Sequence, residues 1–221
     1  MSELPPPFDR VVLGDLVTSE TIIRDGFVAV RDGRIAAIGE GPPPPAVETS
    51  DHRGMLVFPG LVDGHMHTAS AFGWPGIETA TRSAAAGGVT TVVDMPYDIP
   101  RPVTNAELFN EKVGWVNRTA HVDVALYGTI QKTGGTHHIK EIAAAGASAF
   151  KLSTYEYDAT RFPRIDHVEM ERAFAQIAET GLMVALHNED QEIVIAMTKA
   201  AQDAGRDRKS TRLNSSHDSA S

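Results

Sequence analysis

Two kinds of apolar pattern alternate along this chain from Met55 onward: short β-branched runs, and longer stretches whose apolar positions recur at helical spacing. The strand-like run 57–67 precedes an Ala-rich helix expected near 77–86, and 89–94 precedes one near 106–116. Further on, 122–127 leads to a helix near 138–145, 147–153 to one near 168–180, and 182–187 to one near 191–204. A helix between successive strands returns the chain to the same end of a sheet, so the strands run parallel. The pattern therefore predicts an α/β fold with five βα units.

Upstream the period is shorter. Residues 11–13, 21–23, 27–30 and 34–38 read as strands, with Asp25-Gly26 and Asp32-Gly33 as hairpin turns. This predicts a small antiparallel β unit. The run Pro42-Pro43-Pro44-Pro45 is a stiff connector, and the stretch from there to Gly54 shows no periodicity. The expected organisation is a β segment over 1–54 and an α/β domain over 55–206. After Arg206 the composition changes abruptly, and 207–217 looks like a translated sequencing-library adapter. Residues 207–221 are therefore expected to be a non-native tail, and the chain to be part of a longer protein.

Five units admit two architectures. They complete a doubly wound sheet, or they form the first part of a (β/α)8 barrel, which needs eight. Composition narrows the partners rather than the fold. A formal charge of −9 opposes binding to a phosphate backbone, so nucleic acid is not expected. There is no cysteine, which excludes a disulfide framework and predicts a reducing, cytoplasmic setting. The N-terminus lacks a basic segment followed by an apolar one, and no apolar run approaches the roughly 20 residues that span a bilayer. A soluble protein with no membrane partner is expected.

The candidate chemistry lies at strand ends. In Asp63-Gly64-His65-Met66-His67, two histidines at spacing two share one face of a strand, about 7 Å apart along it, so both imidazoles reach one metal site. Without cysteine, a metal must be held by His, carboxylate or modified Lys. In Ala149-Phe150-Lys151-Leu152-Ser153, alternation sends Phe150 and Leu152 towards the helices and Lys151 to the opposite, inward face. Burial there would favour the neutral amine, which can add CO₂ as a carbamate. The run 182–187 turns Leu182, Val184 and Leu186 outward and His187 inward at the strand's end. Three strands delivering ligand-type side chains to one rim are much less expected by chance than any one of them.

With these residues in view, D-x-H-x-H at the end of the first barrel strand, the inward Lys151 on the fourth and His187 on the fifth resemble the amidohydrolase superfamily. The branch is that of hydantoinases, dihydropyrimidinases, allantoinases and dihydroorotases. Gly87-Gly88-Val89-Thr90-Thr91-Val92-Val93-Asp94-Met95-Pro96 is similar to that branch's second barrel strand, and the β unit resembles its N-terminal sandwich segment. The resemblance covers about residues 9–206. It implies an α/β fold: a partial (β/α)8 TIM barrel preceded by part of a small β-sandwich. It also implies two divalent ions, zinc by expectation, with His65 and His67 on one, carboxylated Lys151 bridging, and His187 on the other. A metal-bridged hydroxide would then attack a cyclic amide carbonyl. The branch's remaining His and its catalytic Asp lie after later strands, so no residue here is assigned as general acid or base, and the chain alone is expected to be inactive.

Substrate class is read from departures. Dihydroorotases carry an Arg two residues after H-x-H and an Asn after Met-Pro, where this chain has Ala69 and Tyr97. A substrate carboxylate would lose its bidentate partner. Tyr155 and Tyr157 straddle the place of the tyrosine that donates to the oxyanion in hydantoinases, and Asp63 is a candidate for orienting a ligand histidine. The expected partner is a small cyclic amide or ureide, with a homo-oligomeric full-length enzyme. A non-catalytic homologue serving as an interaction scaffold, or a dihydroorotase, is the alternative.

Overall fold

In the computed structural model, which describes residues 7–206, the β-branched runs before Gly60 pair into one four-stranded sheet. Its strands are β1 (Phe8–Val17), β2 (Ile22–Arg31), β3 (Arg34–Glu40) and β4 (Ala46–Val57), in the order β3-β2-β1-β4. Val11, Leu13 and Ala29 are its buried centre. Two expectations are corrected here. Asp25-Gly26 is not a turn: β2 continues through it, and Arg24 and Asp25 together oppose the single residue Asp15 in a β-bulge. Asp25 sits at φ 48°, its N–H donating to the Asp15 carboxylate at 3.0 Å while Arg24 pairs with the same carboxylate. The second correction is β4, which occupies the stretch without periodicity. It pairs with β1 in parallel, so the sheet is mixed rather than antiparallel. Most β4 side chains are exposed, so backbone pairing holds the strand and leaves little hydrophobic trace in the sequence.

From Leu61 a second compact unit begins. It comprises β5 (Leu61–Met66), α1 (Gly76–Ala86), β6 (Val89–Asp94), α2 (Ala106–Thr119), β7 (Asp123–Gly128), α3 (Ile139–Ala144), β8 (Ala149–Ser153), α4 (His167–Thr180), β9 (Met183–His187) and α5 (Gln191–Asp203). The first strand is therefore shorter than the expected 57–67, because Pro59-Gly60 separates it from β4. Capping residues set several helix starts. Asn105 accepts from the Leu108 N–H, Asp166 from Val168 and Glu169, and Asp190 from Ile193.

All five strands are parallel and lie in chain order, β5-β6-β7-β8-β9. A doubly wound sheet reverses its strand order at a switch point, and this sheet has no reversal. It curls in one direction as the first five units of a barrel. Phe150 and Leu152 are fully buried in a core with Phe109 of α2, Ile139 and Ile142 of α3, and Ala173 and Ile177 of α4. Alternation then leaves Ala149, Lys151 and Ser153 on the inner face. No helix among the described residues is long and apolar enough to cross a membrane. The adapter-like segment and the rest of 207–221 lie outside the described residues.

Candidate metal centre

The residues expected as ligands lie at the ends of β5 and β9 and in the middle of β8. His65 lies in β5 and His67 directly follows it, their ring centroids 5.3 Å apart and tilted by 48°. Across the sheet, Ser153 pairs with His187 and Lys151 with Ala185. His187 is thus one strand over from Lys151 and two residues nearer the C-terminal rim. The Lys151 amine is half-buried, and burial lowers its pKa from the usual lysine range, which favours the neutral form that carbamate formation requires. Among the described residues it makes no ion pair with a carboxylate.

His187 Nε2 lies 3.1 Å from Glu189 Oε2, and its backbone carbonyl accepts from the Thr154 N–H at 2.9 Å. Tyr155 lies beside the His187 ring at 6.5 Å. Tyr157 is half exposed and meets Tyr97 edge-on at 5.5 Å. Tyr155 therefore lies beside His187, whereas Tyr157 packs on Tyr97, which in turn stands edge-on to His67 at 6.1 Å. Asp63 uses its carboxylate to accept the His65 backbone N–H at 3.0 Å, which fixes the strand end rather than an imidazole ring.

Among the described residues, no three His, Asp or Glu side chains gather into a metal cage. Lysine is not counted in such a cage, and an amine converted to a carbamate would supply the carboxylate-like oxygens that the histidines lack. The paired imidazoles, the inward amine and the absence of cysteine fit a borderline metal held by nitrogen and oxygen.

Sequence reasoning missed a buried charge cluster behind this rim. Lys112 of α2 is fully buried, as are Asp94 at the end of β6 and Asp98 in the loop after it. The Lys112 ammonium contacts Asp94 Oδ2 at 2.5 Å and both Asp98 oxygens at 2.8 Å. Asp94 Oδ1 accepts the Thr68 N–H at 2.7 Å, so the cluster grips the residue after His67. Burial opposes the charge on Lys112, but the two carboxylates outweigh it and raise its pKa. Burial also pushes the Asp98 carboxyl up to about 6, against the pull of Lys112. The available signal was Lys112 itself, which stands three and four positions after Phe109 and Leu108 on the buried stripe of α2.

Comparison with known proteins gives consistent matches. A family model described as dihydro-orotase-like matches residues 54–204. The chain is 34% identical over 203 residues to an allantoinase of Rubrobacter xylanophilus, covering 89% of this chain and 43% of that protein. It is 32% identical over 204 residues to an L-hydantoinase of Paenarthrobacter aurescens, covering 90% of this chain and 44% of that one. Among solved structures, the L-hydantoinase (dihydropyrimidinase) from Arthrobacter aurescens aligns with a TM-score of 0.82 at 32% identity, covering 92% of this chain and 46% of that chain. The chain thus spans less than half the length of the curated relatives it matches.

Proposed function

The chain belongs to the dihydro-orotase-like family, within its cyclic amidohydrolase branch, and on that premise we propose that it carries the His-Lys-His part of a site for metal-dependent hydrolysis of a cyclic ureide. The observation that carries the reading is that His65, His67 and His187 stand at the C-terminal ends of β5 and β9, where barrel folds put their chemistry, with Lys151 two residues below His187's level on the neighbouring strand β8. In this proposal His65 and His67 would hold one divalent ion and His187 a second, with Lys151 as its carbamate a ligand shared by both. The ions, zinc by expectation, would supply a nucleophilic water at neutral pH and polarise the carbonyl under attack.

The chain's own side chains bind and orient. In this reading Tyr155, beside His187, or Tyr157, packed on Tyr97, would donate to the carbonyl oxygen as it gains charge. The relatives named allantoinase and L-hydantoinase support allantoin or a hydantoin as the ring opened. Ala69 is buried and Tyr97 fills the place of the dihydroorotase Asn, so nothing at these positions recognises a substrate carboxylate. A cytoplasmic homo-oligomer remains part of the proposal.

The test is to measure metal content together with hydrolysis of allantoin, hydantoin, dihydrouracil and dihydroorotate by the full-length protein and by its Lys151→Ala variant. About two divalent ions per chain and activity on a neutral ureide are expected, both lost in the variant. Partial rescue of the variant by a short carboxylic acid would identify the lost group as a carbamate. Full metal content and activity in Lys151→Ala, or dihydroorotate as the best substrate, would overturn the reading.

A further inference from the structure

One side chain ties together three of the loops at the C-terminal rim. Arg161, in the loop between β8 and α4, donates from Nη2 to the Ser70 carbonyl at 2.7 Å and to the Tyr97 carbonyl at 3.1 Å. Its Nε donates to the Asp98 carbonyl at 3.1 Å. Ser70 belongs to the loop after β5, and Tyr97 and Asp98 to the loop after β6. The guanidinium also lies over the Tyr97 ring, 3.8 Å from its centroid. Tyr97 is therefore held between a cation on its face and the His67 imidazole at its edge, at 6.1 Å and 89°.

The anchor is itself anchored. Asp158 accepts the backbone N–H groups of Arg161 and Thr160, both at 2.8 Å, and these bonds hold its carboxyl below the usual range. The Asp98 carbonyl that Arg161 grips belongs to the residue whose carboxylate takes Lys112. Lys112 thus serves both Asp94 and Asp98, and the charge of Arg161 adds to its pull on the Asp98 carboxyl. A lysine could supply the charge of Arg161 but neither its stacking plane nor its fork of donors.

We propose that Arg161 is a positioning residue that sets the ring of His67 through Tyr97, and so fixes the histidine pair for its metal. The proposal rests on the reading of His67 as a ligand. It assigns a positioning role to a loop residue through its contacts with Tyr97. His67 is held from both sides, by Asp94 through the Thr68 N–H and by Arg161 through Tyr97.

The test compares Arg161→Lys and Tyr97→Leu with the unsubstituted protein in the full chain. Thermal unfolding reports the fold, ¹⁵N–¹H imidazole spectra of metal-free protein report the His67 ring, assigned with His67→Gln, and cobalt titration reports the site. Both variants should unfold cooperatively, move the His67 resonances in the same direction, and weaken cobalt binding by about 10- to 100-fold. Unmoved His67 resonances in both variants would overturn the proposal. If Arg161→Lys does not fold, Tyr97→Leu carries the decision by the same criterion. If the unsubstituted protein binds no cobalt, the ligand reading fails, while the imidazole spectra still decide the role of Arg161.

Discussion

The two sides of the rim are held by different physics. Beside His67 the charges are buried: Lys112 and Asp94 are 0% exposed and Asp98 is 1% exposed at the side chain. Beside His187 the nearest charge contact joins His187 to Glu189, whose side chains keep 16% and 22% exposure, and the flanking Arg164–Glu192 pair is wetter still. A buried pair fixes geometry only while it is complete, because removing one partner strands a charge in low dielectric. An exposed pair can exchange its partner for water at little cost, and the pairs on the His187 side are at least partly open to water. The His67 side is therefore the rigid wall of the candidate site, and the His187 side is the adaptable one.

The harshest way to break this contrast is Lys112→Met. Two buried carboxylates would lose their shared cation, and unfolding in urea should show a loss of about 3–5 kcal/mol. A loss below about 1 kcal/mol would place the cluster in the same class as an exposed pair. A second test uses pH. The folded Asp98 carboxyl stands at about 6 against an ordinary value of 3.8, so the folded state binds its proton first as pH falls. The stability it contributes is present below the ordinary value and is lost as pH rises through about 6. The raised pKa of Lys112 acts only in the alkaline range, so it does not blur this window. Denaturation at pH 7 and pH 5 should show the protein gaining stability relative to Asp98→Asn on acidification, and an unchanged difference would count against the buried carboxyl. The mildest change is Glu189→Gln on the other side, expected to cost less than about 1 kcal/mol in the same urea assay. A larger loss would mean that the two sides are equally dependent on their charges.

What could be read from the sequence follows the same division between pattern and pairing. The βα units were legible because apolar positions recur at helical spacing between short β-branched runs. The inward turn of Lys151 was legible from the strand period of two, with Phe150 and Leu152 fully buried on the opposite face. Strand β4 was not, since its polar residues are held by backbone bonds to β1. Asp25-Gly26 misled because a residue at positive φ serves a bulge as well as it serves a turn. Lys112 was hidden because a mid-helix lysine normally faces water, and only its two acidic partners make its burial tolerable. Arg161 gave no signal, because a loop residue that binds three backbone carbonyls has no period to betray it.

Strand order also carries a consequence for how the polypeptide acquires this shape on the ribosome. In the parallel sheet each strand pairs with the next one in the chain, so a newly emerged βα unit finds its docking partner already made, and assembly can follow translation. Arg161 departs from that schedule. It reaches back 91 residues to Ser70 and 64 to Tyr97, so the wall beside His67 acquires its last tie only after β8 has been synthesised and laid down. Until then, the loops after β5 and β6 are nascent segments awaiting a clasp from a later part of the message.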